Sequence, residues 1–191
     1  NEKLEFGLNI GANMASLSNV QAEKYQFGLN LGLNFVYKIN DRLLLNTALY
    51  FSFPMGAKEL PLYNSPDSNL NEVLQTGTFE RKLSYFSLPI TLRYRLFGLT
   101  YLDFGPQISL NNGALNIFSV TVPDGGDLSY QESAKSQYKL FDAGVTAGIT
   151  QRFRPKNGVS IKLRYYYGFM DISKDSDYPD QRNSVFYVSV G

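Results

Sequence analysis

The sequence predicts an all-β fold, an eight-stranded antiparallel up-and-down transmembrane β-barrel with short periplasmic turns and longer extracellular loops. Three observations support this prediction. In residues 25–39, YQFGLNLGLNFVYKI, apolar and polar positions alternate with only Val36 out of place, which is the period of a strand and not of a helix. The polar positions are mostly glycine and asparagine. Seven further segments repeat the pattern, and long and short connections alternate between them.

The first four strands are predicted over residues 4–14, 25–39, 43–55 and 83–96. The first alternates leucine, phenylalanine and isoleucine with glycine and asparagine. Asn40-Asp41 after the second predicts a tight turn, because both residues tolerate the backbone angles of short hairpins. The apolar face of the third strand ends in Phe53 and Met55. The fourth places Arg93 and Arg95 on its polar face.

The last four strands are predicted over residues 101–111, 138–153, 159–170 and 184–190. The fifth follows a short turn at Gly98 and alternates apolar residues with Asp103 and small polar residues. The sixth sets an apolar face against Asp142, glycines and threonines. The seventh sets aromatic residues against Lys162 and Arg164, and the eighth alternates as SVFYVSV. Pro89 and Pro106 lie inside strands, where they predict bulges or points at which the pairing opens.

The alternation alone fits two barrels, a membrane barrel with lipid outside and a soluble lipocalin-like barrel with a ligand inside. A water-exposed face normally carries many lysines and glutamates, whereas the polar face here is small and nearly uncharged, as suits the narrow lumen of eight strands. Tyrosine and phenylalanine also gather toward strand ends, as in the aromatic girdles of membrane barrels. The mean hydropathy of −0.21 does not conflict with a membrane barrel, since barrel strands alternate.

Composition restricts the function. A chain of 191 residues favours a single domain over residues 1–191. The net charge of +1, without a basic run, argues against nucleic-acid binding. There is no histidine, and small barrel enzymes depend on histidine as a general base, so we expect no enzymatic activity and no cofactor.

Two segments of the predicted barrel carry a family resemblance. YFSLPITLRY at residues 85–94 and YLDFGPQIS at 101–109 resemble the PorT-like outer-membrane β-barrels of Bacteroidetes-type bacteria, as do LEFGLNIGANMASLSN, DAGVTAGI and RYYYGF. The resemblance implies an eight-stranded barrel in the bacterial outer membrane. The even strand count and the alternation of short turns with longer loops predict extracellular loops and periplasmic termini. The namesake of the family is linked to protein secretion. Such barrels usually end in an aromatic residue, whereas this sequence stops at Val190-Gly191.

Charged residues on the predicted inward faces form a candidate site in the lumen. They are Glu5, Arg93, Arg95, Asp103, Asp142, Lys162 and Arg164. We interpret them as a structural network that pairs charges too costly to leave isolated in a confined interior. The alternative interpretation is a path for protons or ions.

Three long connections, at residues 57–78, 112–137 and 171–182, are the candidate binding surfaces. Their apolar residues predict possible contacts at Leu60, Leu62, Tyr63, Ile117, Phe118 and Val120. The aspartates of the third connection, Asp171, Asp175, Asp177 and Asp180, do not match a calcium-loop spacing, so no metal site is predicted.

The function predicted from these features is a non-enzymatic accessory or scaffold subunit of a larger outer-membrane assembly, related to secretion or transport. Its expected partners are outer-membrane lipid and an outer-membrane protein that binds the loops. Two alternatives stay open at this point. One is a narrow pore for small solutes or ions, and the other is the soluble ligand-binding barrel.

Overall fold

The computed structural model describes residues 3–19, 24–58, 78–122, 126–154, 158–174 and 180–191. Its strands are β1 Leu4–Leu17, β2 Lys24–Lys38, β3 Leu43–Lys58, β4 Thr78–Phe97, β5 Thr100–Val122, β6 Gly126–Ser133, β7 Phe141–Arg152, β8 Ser160–Gly168 and β9 Asn183–Val190. A single turn of 3-10 helix covers Lys135–Gln137. No helix in these ranges is long and apolar enough to cross a membrane.

The strands form one closed antiparallel barrel. Neighbours follow the order β4-β3-β2-β1-β9-β8-β7-β5, and an additional β4–β5 pairing closes the ring of eight strands. β6 pairs with β5 alone and stands outside the ring. The predicted eight-stranded up-and-down barrel is therefore confirmed. We call the end with the short β2–β3, β4–β5 and β7–β8 connections the turn end, and the opposite end the loop end.

The two faces of the barrel wall have opposite polarity. Phe6, Phe27 and Leu29 point outward and are 69%, 67% and 75% exposed. Asn9 and Asn30 point inward and are buried. A soluble barrel with a ligand in an apolar interior needs the reverse arrangement, so the lipocalin-like alternative is wrong.

A bulge in β3 corrects the prediction for two residues. The register between β3 and β4 shifts between Tyr50 and Phe53, so one extra residue of β3 stands opposite β4. Because side chains alternate with a period of two, one extra residue moves everything beyond it to the other face. Phe53 and Met55, predicted to face outward, are fully buried inside the barrel.

The predicted second long loop is largely β-structure. β5 continues to Val122 and forms with β6 a hairpin of eight ladder pairs that projects from the loop end. The register between β4 and β5 shifts by one residue between the Ser84–Gly113 and Tyr85–Asn111 pairs, which reverses the faces of β5 beyond that point. The hairpin therefore turns Phe118 inward, where it is buried.

The two strand prolines do not mark bulges. Pro89 pairs with Gln107, and the β4–β5 ladder resumes at Leu92–Phe104 in the same register. The pairs between these two points are missing beside Pro106, which has no amide hydrogen to donate. Of the two outcomes expected at the prolines, the structure shows an opened ladder and not a bulge.

Candidate functional site

The turn-end half of the lumen contains a buried ion network around Asp103. Arg93 Nε donates to Asp103 Oδ1 at 2.7 Å, and Arg164 Nη2 donates to Asp103 Oδ2 at 2.7 Å. Thr150 Oγ1 donates to the same carboxylate at 2.5 Å. All four side chains are buried. The network joins β4, β5, β7 and β8 through the interior of the barrel.

Gly148 makes this network possible. In the β7 ladders it pairs with Asp103 on one side and with Arg164 on the other. Because glycine has no side chain, Arg164 can reach across β7 to the carboxylate. A Cβ on Gly148 would lie 2.7 Å from both Cα and Cγ of Arg164.

The predicted lumen charges Glu5, Lys162 and Asp142 do not bind to Asp103, and each has a different partner. Glu5 pairs with Arg152 at 2.5 Å, and the Lys162 ammonium donates to Asn9 Oδ1. Asp142 lies deeper toward the loop end, where Asn183 Nδ2 donates to its Oδ2 at 2.8 Å, and it forms no ion pair with the described residues.

The predicted set of lumen charges is wrong at two positions, because it includes Arg95 and omits Arg152. Arg95 stays at the turn end, where its Nε donates to the Gly98 carbonyl, and it makes no ion pair with a described carboxylate. Arg152 was missed, although extending the alternation of β7 from Thr150 by two residues places it on the inward face. A cavity of about 280 Å³ opens at the turn end beside Glu5 and Arg152 and reaches Arg93.

An aromatic layer fills the lumen beyond the ion network. The Phe53 ring lies 5.2 Å from Tyr50 and 5.0 Å from Tyr187, measured between ring centroids. The largest of the completely buried apolar and tyrosine side chains are Tyr50, Tyr85, Tyr166, Tyr187, Phe53, Met55, Leu83 and Ile172. The lumen is thus polar and charged near the turn end and aromatic near the loop end.

Stacked rings cover the loop end of the aromatic layer. Phe118 of the hairpin stacks on Phe79 with a centroid distance of 4.7 Å and an interplanar angle of 10°. The Arg81 guanidinium lies 5.3 Å from the centre of the Phe79 ring and 5.2 Å from that of Tyr138, and its Nε donates to Asn116 Oδ1 at 3.3 Å. These contacts fix the base of the hairpin on the barrel.

The predicted loop contacts are only partly described. Phe118 belongs to the inward face of the hairpin and is buried against Phe79, so its prediction as an exposed contact is wrong. Ile117 lies on the opposite face of the hairpin and is half-buried. Leu60, Leu62 and Tyr63 lie outside the described residues, as does the side chain of Val120.

Asp171 organises the described part of the β8–β9 connection through two amide hydrogen bonds and one ion pair. Its Oδ1 accepts the amides of Ser173 at 3.1 Å and Gln181 at 2.8 Å, and its Oδ2 accepts Lys139 Nζ at 3.1 Å. Burial opposes ionisation, but these donors outweigh it and lower the pKa of Asp171 below 3.8. Asp175 and Asp177 lie outside the described residues, and no group of three or more metal-ligating side chains occurs within them.

Comparison with known proteins supports the same architecture. Residues 1–174 match the family model described as outer membrane protein beta-barrel domain. The structure is similar to Neisserial surface protein A, at 16% identity and a TM-score of 0.52, with 99% of this chain and 97% of that chain covered. The attachment invasion locus protein of Yersinia pestis aligns at 14% identity and a TM-score of 0.47, covering 100% and 98%. No curated protein sequence matches significantly.

Proposed function

The chain belongs to the family of outer membrane protein beta-barrel domains, and we propose that it acts as a non-enzymatic scaffold or accessory subunit of a larger outer-membrane assembly. In this proposal residues 1–191 form one barrel domain. The loop end faces the exterior and the turn end faces the periplasm, as short turns and long loops do in outer-membrane barrels. A protein partner binds at the loop end.

The filled lumen is the observation that carries this proposal. Arg93 and Arg164 block the turn-end half, and Tyr50, Tyr85 and Tyr187 block the aromatic half; all five are less than 2% exposed. Arg93, itself buried, is one of the residues that line the turn-end cavity. A solute path would need these side chains to leave their ion pairs and ring contacts together, so the arrangement favours a scaffold over a narrow pore.

The β5–β6 hairpin is the proposed binding platform. Its eight ladder pairs and the Phe79–Phe118 stack give it a fixed position on the rim. Leu115 and Tyr130 leave apolar surface exposed on it. Binding residues are commonly carried by loops that a rigid scaffold positions, and a preformed surface reduces the entropy lost on association.

The absence of enzymatic activity is part of the proposal and is supported by composition. The chain has no histidine to serve as a general base near neutral pH. The resemblance to PorT-like barrels suggests a more specific version, in which the partner belongs to a protein-secretion apparatus. Leu60, Leu62 and Tyr63 would then extend the partner surface beyond the hairpin.

The experiment is purification of the tagged protein from its native outer membrane in mild detergent, followed by mass spectrometry of stoichiometric companions. The test variant replaces residues 119–129 by Asn-Gly, which joins Phe118 to its ladder partner Tyr130. The control replaces Asn40 and Asp41 at the turn end by two glycines. We expect the companion to be lost from the hairpin variant alone, while both variants keep the heat-modifiable mobility of a folded barrel.

Two results would contradict the scaffold proposal. The first is purification of the wild-type protein without any stoichiometric companion. The second is a robust single-channel current from the wild-type protein in a planar bilayer, which would favour the pore.

A further inference from the structure

A surface cavity of about 350 Å³ lies at the loop end of β5 and β7. It is lined by Asn111, Lys135, Ser136, Tyr138, Lys139, Leu140 and Lys174. Two chain segments form it together. The Lys139 amide donates to the Ile172 carbonyl at 2.8 Å, and the Lys174 amide donates to the Gln137 carbonyl at 3.0 Å. These backbone bonds hold lysines from both segments around one space.

Three lysines supply the charge that the described residues bring to this cavity. Lys139 is paired with Asp171 at 3.1 Å. Lys135 and Lys174 are exposed and form no ion pair with the described residues. Among the described residues, three ammonium groups therefore meet one carboxylate at the cavity.

Asn111 gives the cavity a buried polar base. It is 3% exposed, and among the described residues its side-chain amide meets the Tyr85 hydroxyl but forms no hydrogen bond of good geometry. A buried amide whose hydrogen-bonding capacity is not filled can take a further partner, and a ligand atom in the cavity would supply one. The Asn111 amide group and the Ser136 hydroxyl are neutral donors that suit an anion already attracted by lysines.

The position of the cavity indicates that the anion belongs to a membrane lipid. Leu140 lines the cavity and is 65% exposed, and Phe141 and Leu110 continue outward-facing apolar surface below it. The cavity thus lies where the lipid-facing wall ends at the loop end. In a membrane barrel this level meets the lipid headgroups, and acyl chains pack along the wall beneath.

We propose that the Lys135–Lys139–Lys174 cavity binds the phosphate of an anionic membrane lipid, with the acyl chains lying along Leu140 and Phe141. Lys135 and Lys174 hold the phosphate charge, and Asn111 donates to a phosphate oxygen. The site depends on the outer-membrane location of the barrel and not on the scaffold role.

The test is native mass spectrometry of the detergent-solubilised protein titrated with phosphatidic acid, which carries a phosphomonoester, and with phosphatidylcholine. We expect selective binding of phosphatidic acid. The K135A/K174A variant should lose about thirtyfold in affinity, because each lysine near an anionic lipid contributes about 1 kcal/mol. K135R/K174R, which keeps both charges, should retain most of the binding.

The control variant is K58A/K82A, which removes two exposed lysines from β3 and β4 at the same end of the barrel. It should bind phosphatidic acid like the wild type. Equal affinity in the two alanine variants would overturn the proposal, as would equal binding of phosphatidylcholine. Displacement by inorganic phosphate at the concentration at which the lipid itself binds would also overturn it, because the site would then recognise a soluble anion.

Discussion

Arg164 on β8 and Asp103 on β5 form an ion pair of 2.7 Å, although β7 lies between their strands. The pair passes over Gly148, which occupies the same level of β7. Arg93 approaches the same carboxylate from β4, so one aspartate holds two guanidinium groups in the lumen. This arrangement blocks the turn-end half of the barrel and underlies the first two predictions.

Asp103→Asn should lower the free energy of unfolding by about 3–5 kcal/mol, since it leaves two buried guanidinium groups without a carboxylate. The control is Glu5→Gln, where Glu5 is 27% exposed and pairs with one arginine. It should cost less, about 1–3 kcal/mol, because one buried guanidinium and not two loses its carboxylate, and that carboxylate is partly in contact with water. Urea unfolding in micelles, followed by circular dichroism, measures both. Equal losses would show that burial of the Asp103 network adds nothing to its strength.

Gly148→Ala should destabilise the barrel by several kcal/mol and separate Arg164 from Asp103, because the added Cβ meets the backbone of β8. Gly7→Ala is the matched control, since a Cβ there has nothing within 4 Å. It should be neutral or slightly stabilising, because alanine loses less backbone entropy than glycine. The same unfolding assay compares the two variants. A neutral Gly148→Ala would mean that Arg164 reaches the carboxylate without requiring a glycine.

Phe53→Ala should cost about 3–5 kcal/mol, because it opens a cavity among the Tyr50 and Tyr187 rings. The control is Phe51→Ala on the other side of the bulge, where the side chain is exposed to the membrane. Lipid or detergent can fill the space left there, so we expect less than about half of that loss. A larger loss of stability for Phe51→Ala than for Phe53→Ala would indicate that Phe53 lies on the outer wall and would contradict the β3 bulge.

The segment held by Asp171 should loosen in acid. The pKa of this carboxyl is lower in the folded protein than its ordinary value of 3.8, so ionised Asp171 stabilises the segment. That contribution is complete above the ordinary pKa and is lost as the pH falls through the lower folded value. Hydrogen exchange at the amides of Ser173 and Gln181 should show reduced protection only below about pH 4.

Asp171→Asn should remove most of this pH dependence and raise exchange at neutral pH. Asp180→Asn is the control, because Asp180 pairs only with the exposed Arg182 among the described residues. It should leave the protection of Ser173 and Gln181 unchanged. Protection that does not change between neutral pH and pH 3 in the wild type would contradict the role of the Asp171 carboxylate.

Much of the barrel could be predicted because its signal is local. The period of two in each strand identified all eight barrel strands and the polarity of most positions, and the turns at Asn40 and Gly98 followed from residue type. The sequence analysis missed that β4 begins at Thr78 and that β5 continues to Val122. It had assigned both added segments to long loops. Inward charges such as Asp103 were found by the same alternation.

The candidate site was less predictable because it depends on contacts between strands. The bulges near Ser52 and Asn112 change the face of Phe53 and Phe118, and their position depends on the register with β4. The separation of Glu5–Arg152 from the Asp103 network depends on height along the barrel axis, which sequence spacing does not measure.

The sequence by itself determined that this chain forms an eight-stranded barrel and favoured the membrane form, because the alternation, the small polar face and the aromatic strand ends are properties of single strands. Only the tertiary structure decided that the lumen is blocked, that Arg164 pairs with Asp103 across Gly148, and that three lysines from two segments share one cavity. The physical reason is that strand register and barrel closure set which side chains meet, and both arise from pairing between residues far apart in the chain.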